Sequence, residues 1–319
     1  MGSVLWLECS SGISGDMCAA ALLDAGADEQ AVRRALESLP VEGFEVRITR
    51  VVKSGLDVCD FDVVLDAEHE NHDHDMEYLH GAGREPGHSH EGAQAHAHEG
   101  ARANEGVGDQ AHAHPQGCSC EGDHAHPREG AGAPAHLHPH EGAQAHEHRG
   151  MAEIAALIDA ADMTPHAREI AREVFAIIAE AEAQAHGVPV GEVHFHEVGA
   201  VDSIADVVAV AAALDSLHVE EVVVTELAEG RGTVRCQHGV IPVPVPAVVN
   251  IAAAHGLVLR VLDVRGELVT PTGAAVAAAV RTTDKLPERF AVKRVGMGAG
   301  KRAYETPGIL RALVIEPVE

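Results

Sequence analysis

Positive charge is scarce in this chain of 319 residues, which sets 23 lysines and arginines against 50 aspartates and glutamates for a formal net charge of −27. Without a basic stripe to displace counterions from phosphates, nucleic acid is excluded as a partner. The same acidic field attracts cations. Aromatic residues make up only 3% of the chain, so its core must be built from Ala, Val, Leu and Ile. No run of about 18 apolar residues occurs, which excludes a membrane-spanning helix. The N-terminus has no basic stretch ahead of an apolar run, so a secretory leader is not expected. Of the six cysteines, Cys9, Cys18, Cys59 and Cys236 are dispersed, and only Cys118 and Cys120 form a Cys-x-Cys. No disulfide framework is evident, and a reduced, cytoplasmic setting with free thiols is expected.

Histidine is what the chain has in excess. Residues 69–148 carry 17 of the 24 histidines, in units such as Ala95-His96-Ala97-His98 and His136-Leu137-His138-Pro139-His140. The stretch holds 14 acids and 3 bases and almost no large apolar residues, so it cannot bury enough surface to offset ordering and is expected to be disordered. Flexible His-x-His tracts bind nickel, zinc, copper or cobalt with modest selectivity, because nothing enforces a geometry. Three segments follow: 1–68 as an N-terminal α/β part, 69–148 as a metal-binding insert, and 149–319 completing the same domain.

The chemistry concentrates at His194-Phe195-His196-Glu197-Val198-Gly199-Ala200-Val201-Asp202-Ser203-Ile204-Ala205-Asp206. In an extended segment His194 and His196 project to one side. Asp202 or Ser203 is placed to cap a helix, with Asp206 completing a Ser-x-x-Asp capping box. The helix continues through Val207 to Leu214, apolar nearly all round, which argues for burial. Asp202 and Asp206, four apart, share a helical face. Imidazoles and carboxylates together suit a borderline metal such as nickel or zinc. The alternative is that the aspartates only serve the helix start while the histidines pack or face water.

Elsewhere, Ser10–Asp16 is a small-residue loop between a strand and a helix, able to expose N–H groups to an anion through Ser14 and Gly15; Asp16 is either a cap or a metal ligand. Phe44–Asp66 alternates apolar and polar residues, which predicts a hairpin or two consecutive strands. Met151–Ala161 and Pro165–His186 show helical spacing. Cys236-x-His238 offers two metal donors, and Pro242, Pro244 and Pro246 exclude an interior strand. Thr270-Pro271-Thr272-Gly273 opens an alanine-rich helix, either capped by Thr or holding a phosphate or carboxylate. After a strand at Phe290–Val295, Gly296-Met297-Gly298-Ala299-Gly300-Lys301 reads as a turn, with Gly298 and Lys301 suited to a phosphate. Elements alternate irregularly, so the expected class is α+β with a mixed β-sheet packed by helices.

Five of these stretches, in order, resemble the nickel-insertion proteins of the LarC type, which help build the nickel-pincer nucleotide cofactor of lactate racemase. They are Gly12-Ile13-Ser14-Gly15-Asp16-Met17, His194–Ser203, His238-Gly239 with Pro242-Val243-Pro244, Thr270–Ala275 and Gly296–Gly300. The resemblance implies a nickel chelatase of the lyase class that inserts Ni(II) into pyridinium-3,5-bisthiocarboxylic acid mononucleotide. It implies CTP, with Mg2+ or Mn2+, acting through a C-terminal domain that family members usually carry beyond the point where this sequence stops. It also implies as partners that substrate, a C-terminal domain or separate chain, and the racemase apoprotein. A homo-oligomer is expected as well, with no nucleic acid and no membrane. On this reading His194, His196, Glu197, Asp16 and His238 hold the metal, and Glu197, Asp202 or Asp206 takes up a proton. Ser14, Gly15, Thr270, Thr272, Gly273, Gly298 and Lys301 contact the nucleotide. Two other readings stay open, a nickel store or metallochaperone and a metal-dependent hydrolase.

Overall fold

A computed structural model describes residues 2–66, 149–195, 200–236 and 238–318, together with the side chains of those residues other than His194. The histidine-rich stretch lies outside them, so the expectation of disorder there has no structural counterpart.

Two segments, one on each side of that stretch, build one six-stranded sheet. In chain order its strands are β1 (Val4–Glu8), β2 (Phe44–Lys53), β3 (Leu56–Leu65), β6 (Glu221–Val223), β10 (Phe290–Ala299) and β11 (Ile309–Pro317), arranged β2-β3-β10-β11-β1-β6. The pairs β2–β3, β10–β11 and β1–β11 are antiparallel, while β1–β6 and β3–β10 are parallel, so the sheet is mixed as expected. The predicted hairpin forms with Lys53 opposite Leu56. A second sheet has the order β8-β7-β9, from β7 (Leu227–Cys236), β8 (Gly239–Val243) and β9 (Leu259–Arg265). Strand β8, which contains Pro242, lies at an edge, where the N–H that Pro242 lacks costs no internal ladder bond. A short pair joins β4 (Arg149–Gly150) to β5 (His194–Phe195).

Seven α-helices lie among the described residues: α1 (Gly15–Asp24), α2 (Glu29–Glu37), α3 (Met151–Ala160), α4 (Pro165–His186), α5 (Val201–Ser216), α6 (Pro246–His255) and α7 (Pro271–Val280). The period of two in the strands decides what each face buries. Leu5 and Leu7 of β1, with Leu310, Ala312 and Val314 of β11, join the large core shared with the helices. Val4 of β1, with Leu313 and Ile315 of β11, faces the other way into a small cluster beside Trp6 and Phe290. Helix α5, apolar all round in sequence, is buried from Val207 through Leu214. With few aromatics available, alanine lets elements approach closely.

The glycine-rich segment is not a turn. Gly296 and Gly298 lie inside β10, paired with Ala312 and Leu310. A Cβ on Gly298 would stand 2.1 Å from the Met17 carbonyl oxygen, and one on Gly296 would stand 2.0 Å from that of Ala21. The missing side chains therefore let α1 lie directly on the strand.

Candidate functional site

Three helices begin close to one another. Ile13 donates its N–H to the Leu268 carbonyl at 2.9 Å, and Thr270 returns one to the Ile13 carbonyl at 3.1 Å, which staples the start of α7 to the start of α1. Gly273 seats that contact: a Cβ there would lie 2.2 Å from the Ile13 oxygen. Thr270 caps α7, its hydroxyl accepting from the Gly273 N–H at 3.1 Å, and Thr272 is buried behind it. The capping role weighed for this threonine is thus present, and Thr270 takes up the N–H groups of Gly273 and Ala274.

The start of α5 departs from expectation. Its N-cap is Ala200, with no side-chain cap, and the ladder opens with the Ile204 N–H on the Ala200 carbonyl. Asp202 and Ser203 are already inside the first turn, where Asp202 Oδ1 accepts from the Ser203 N–H at 2.8 Å. Because the helix starts before these residues, the predicted capping box cannot close, and Asp206 is directed elsewhere. Its carboxylate leans over Gly15, whose absent Cβ would stand 2.6 Å from Asp206 Oδ2, and accepts from the Asp16 N–H. Asp206 thereby supplies the cap that Ser14 does not give α1. The Ser14 hydroxyl donates to Asp16 Oδ1 instead.

Asp16 and Asp206, far apart in sequence, are thus side by side. Burial raises the pKa of Asp16, opposed by the Ser14 hydroxyl, the Lys301 charge and the Met17 N–H. Burial raises Asp206 well above the usual carboxylate range, and the charges of Asp16 and Asp202 add to it while Lys301 opposes. Two carboxylates crowded this way hold a proton readily, and a cation that enters displaces it. Lys301 is occupied by Asp60 at 2.8 Å and Asp62 at 3.0 Å, both on β3. Its own burial lowers its pKa, but the hydrogen bonds to Asp60 and Asp62 outweigh that and raise it. It stands as a charged neighbour of the two aspartates. Cys18, fully buried next to them, has its thiol pushed well above its ordinary pKa by burial and by Cys9, Asp16 and Asp206, so it stays protonated.

His196 and Glu197 lie outside the described residues, and of His194 only the backbone is placed, paired with Gly150. Among the described residues no three His, Cys, Asp or Glu side chains form a ready metal-holding group. His238 is on the β7–β8 turn, beside Cys236 and His186. Gly298 is covered by α1.

One buried residue escaped the sequence reading. Glu229 of β7 has no solvent exposure. Its Oε1 accepts N–H groups from Gly230 at 2.7 Å, Leu268 at 2.8 Å and Val269 at 3.2 Å, which clips the second sheet to the segment entering α7. Its Oε2 is buried with no hydrogen-bond partner among the described residues. The only trace in sequence is an acid between Ala228 and Gly230 in a strand that is otherwise buried at that end.

Comparison with known proteins decides the family. The sequence model of the family described as nickel insertion protein matches residues 5–319. The chain belongs to that family. A pyridinium-3,5-bisthiocarboxylic acid mononucleotide nickel insertion protein of Alkaliphilus metalliredigens is 42% identical over 320 residues, covering 99% of this chain and 61% of the relative. Proteins of the same name from Geobacillus kaustophilus and Acetivibrio thermocellus are 32% and 29% identical, each covering 98% of this chain and 60% of the relative. This nickel insertion family member therefore spans about three-fifths of the length of those curated relatives. No solved structure matches. No helix among the described residues is long and apolar enough to cross a membrane.

Proposed function

We propose that this chain takes part in inserting Ni(II) into pyridinium-3,5-bisthiocarboxylic acid mononucleotide, with the reaction centre at the joined starts of α1, α5 and α7. Family membership supports the metal and the substrate. The observation that carries the location is the pairing of Asp16 with Asp206, a carboxylate pair of raised proton affinity beside the opening of α7.

In this reading His194, His196 and Glu197, with Asp16, hold nickel while leaving positions open. The substrate thiocarboxylates, softer and chelating, displace protein ligands. As the nickel–carbon bond forms, the ring carbon releases its proton to Asp206, whose burial favours the protonated form, or to Asp202 beside it. The substrate phosphate rests on the first turn of α7 near Thr272 and Gly273, within the field of Lys301. The histidine-rich stretch captures nickel and raises its local concentration. CTP with Mg2+ or Mn2+ acts through a C-terminal part, in the cytoplasm where thiols stay reduced.

The test is to incubate protein, Ni(II), CTP, Mg2+ and the mononucleotide and follow nickel incorporation by mass spectrometry, supplying the C-terminal part of a relative if needed. His194→Ala and His196→Ala should abolish incorporation, whereas deleting residues 69–148 should only raise the nickel concentration required. A store would lose its purpose with that deletion. Phosphoester hydrolysis unaffected by His194→Ala would point to neither nickel role.

A further inference from the structure

We propose that Glu182, His186, Cys236 and His238 form a binding site for a borderline divalent metal ion of the Ni(II) or Zn(II) class, at the end of α4 and the turn between β7 and β8. The four donors come from two elements held together. Glu182 and His186 are one helical turn apart on α4, with His186 Nε2 at 3.5 Å from Glu182 Oε2. Cys236 pairs with Gly239 at the end of the β7–β8 hairpin, which places His238 in its turn. Cys236 Sγ lies 3.7 Å from His238 Nδ1. The His186 and His238 rings meet at 4.9 Å between centroids and 42° between planes, bringing the two pairs together. Helix α6, which follows β8, is tied to α4 by Asn250 Nδ2 donating to the Ala181 carbonyl at 3.0 Å, one residue before Glu182.

The separations match those of neighbouring ligands around one ion. In a tetrahedral site with metal–sulfur about 2.3 Å and metal–nitrogen about 2.0–2.1 Å, neighbouring S and N donors stand about 3.6 Å apart, and N and O donors about 3.4 Å. The observed 3.7 Å and 3.5 Å lie close to those edges. By contrast, 3.5 Å is long for an N–H···O hydrogen bond. The four side chains do not yet share a common point at bonding distance. His238 is exposed and the His186 side chain is 34% exposed, so both rings have room to turn toward an ion. One thiolate, two imidazoles and a carboxylate match the preference of nickel or zinc for N and S donors, and not that of magnesium or calcium. Cys9, Cys18 and Cys59, by contrast, are buried.

The site is tested with Co(II) alone, added to the full chain carrying Cys118→Ser and Cys120→Ser, so that Cys236 is the one cysteine that is not buried or removed. A thiolate-to-cobalt band in the near ultraviolet should grow and saturate as Co(II) is added; the histidine-rich stretch takes up cobalt too but gives no thiolate band once Cys118 and Cys120 are removed. Cys236→Ser should abolish the near-ultraviolet band, and His186→Ala or His238→Ala should weaken apparent affinity at least about tenfold. All three positions lie at the surface or near it, and an unchanged circular-dichroism spectrum confirms folding. A parent protein without the band, or a band surviving Cys236→Ser, overturns the proposal. Asp16→Asn should leave the band intact, so failure of nickel insertion at the α1–α5–α7 junction and failure of this site are read separately.

Discussion

Glu229 should make the fold lose stability as pH rises through neutrality. Burial lifts its carboxyl from an ordinary 4.5 to about 7, against the opposing N–H groups of Leu268, Gly230 and Val269. Its folded pKa is the higher one, so below about 4.5 both states are protonated and it contributes no penalty. Between 4.5 and 7 the unfolded chain gives up the proton while the folded chain keeps it, and stability falls. At about 1.4 kcal/mol per pH unit, the full penalty above pH 7 is about 3 kcal/mol. Glu229→Gln keeps an oxygen to accept the three N–H groups but cannot ionise. Chemical unfolding of both proteins from pH 5 to pH 8 isolates the effect, because Asp16 and Asp206 titrate in both. The stability of the variant minus that of the parent should rise by about 2–3 kcal/mol across that range, or roughly 5–10 °C in melting temperature. Parallel profiles would refute the reasoning, since they would mean that Glu229 carries no differential proton affinity.

Other consequences follow from the same packing. Asp206→Asn removes one of two crowded carboxylates, so in metal-free buffer at pH 8 the melting temperature should rise relative to the parent, with the gain shrinking towards pH 4. Gly298→Ala puts a methyl 2.1 Å from the Met17 carbonyl, which should push α1 off β10 and cost about 1–3 kcal/mol or more in denaturant titration. Asp60→Asn together with Asp62→Asn should free Lys301 and lower its pKa, detectable by NMR of the labelled ammonium group.

What was legible in the sequence was what depends on near neighbours. The alternation in Phe44–Asp66 pointed to the strand pair that forms, and the prolines from Pro242 onward agree with β8 lying at an edge and ending at Val243. The apolar run after Asp206 announced the buried α5. What failed depended on contacts between distant segments. The capping motif at Ser203 and Asp206 was locally sound, yet α5 starts at Val201 and the aspartate serves α1 instead. Three alternating glycines looked like a phosphate turn because spacing cannot reveal that a helix backbone lies against them. His186, alone at the end of a helix, gave no hint of Cys236 and His238 until the chain folded back. Glu229 gave almost no signal through its neighbours in sequence, and only tertiary structure removes its solvent.

The account rests on the nickel meeting its organic acceptor where α1, α5 and α7 begin. The most direct measurement is the rate of nickel incorporation into the mononucleotide by Asp206→Asn and Asp16→Asn proteins at saturating nickel, beside the protein lacking residues 69–148. The account predicts a loss of at least about a hundredfold for each aspartate variant, through a removed proton acceptor at Asp206, where about 10²–10⁴ is expected, and a removed metal donor at Asp16, with near-parent rates for the deletion. Parent-like rates in both aspartate variants, or complete loss in the deletion alone, would contradict it.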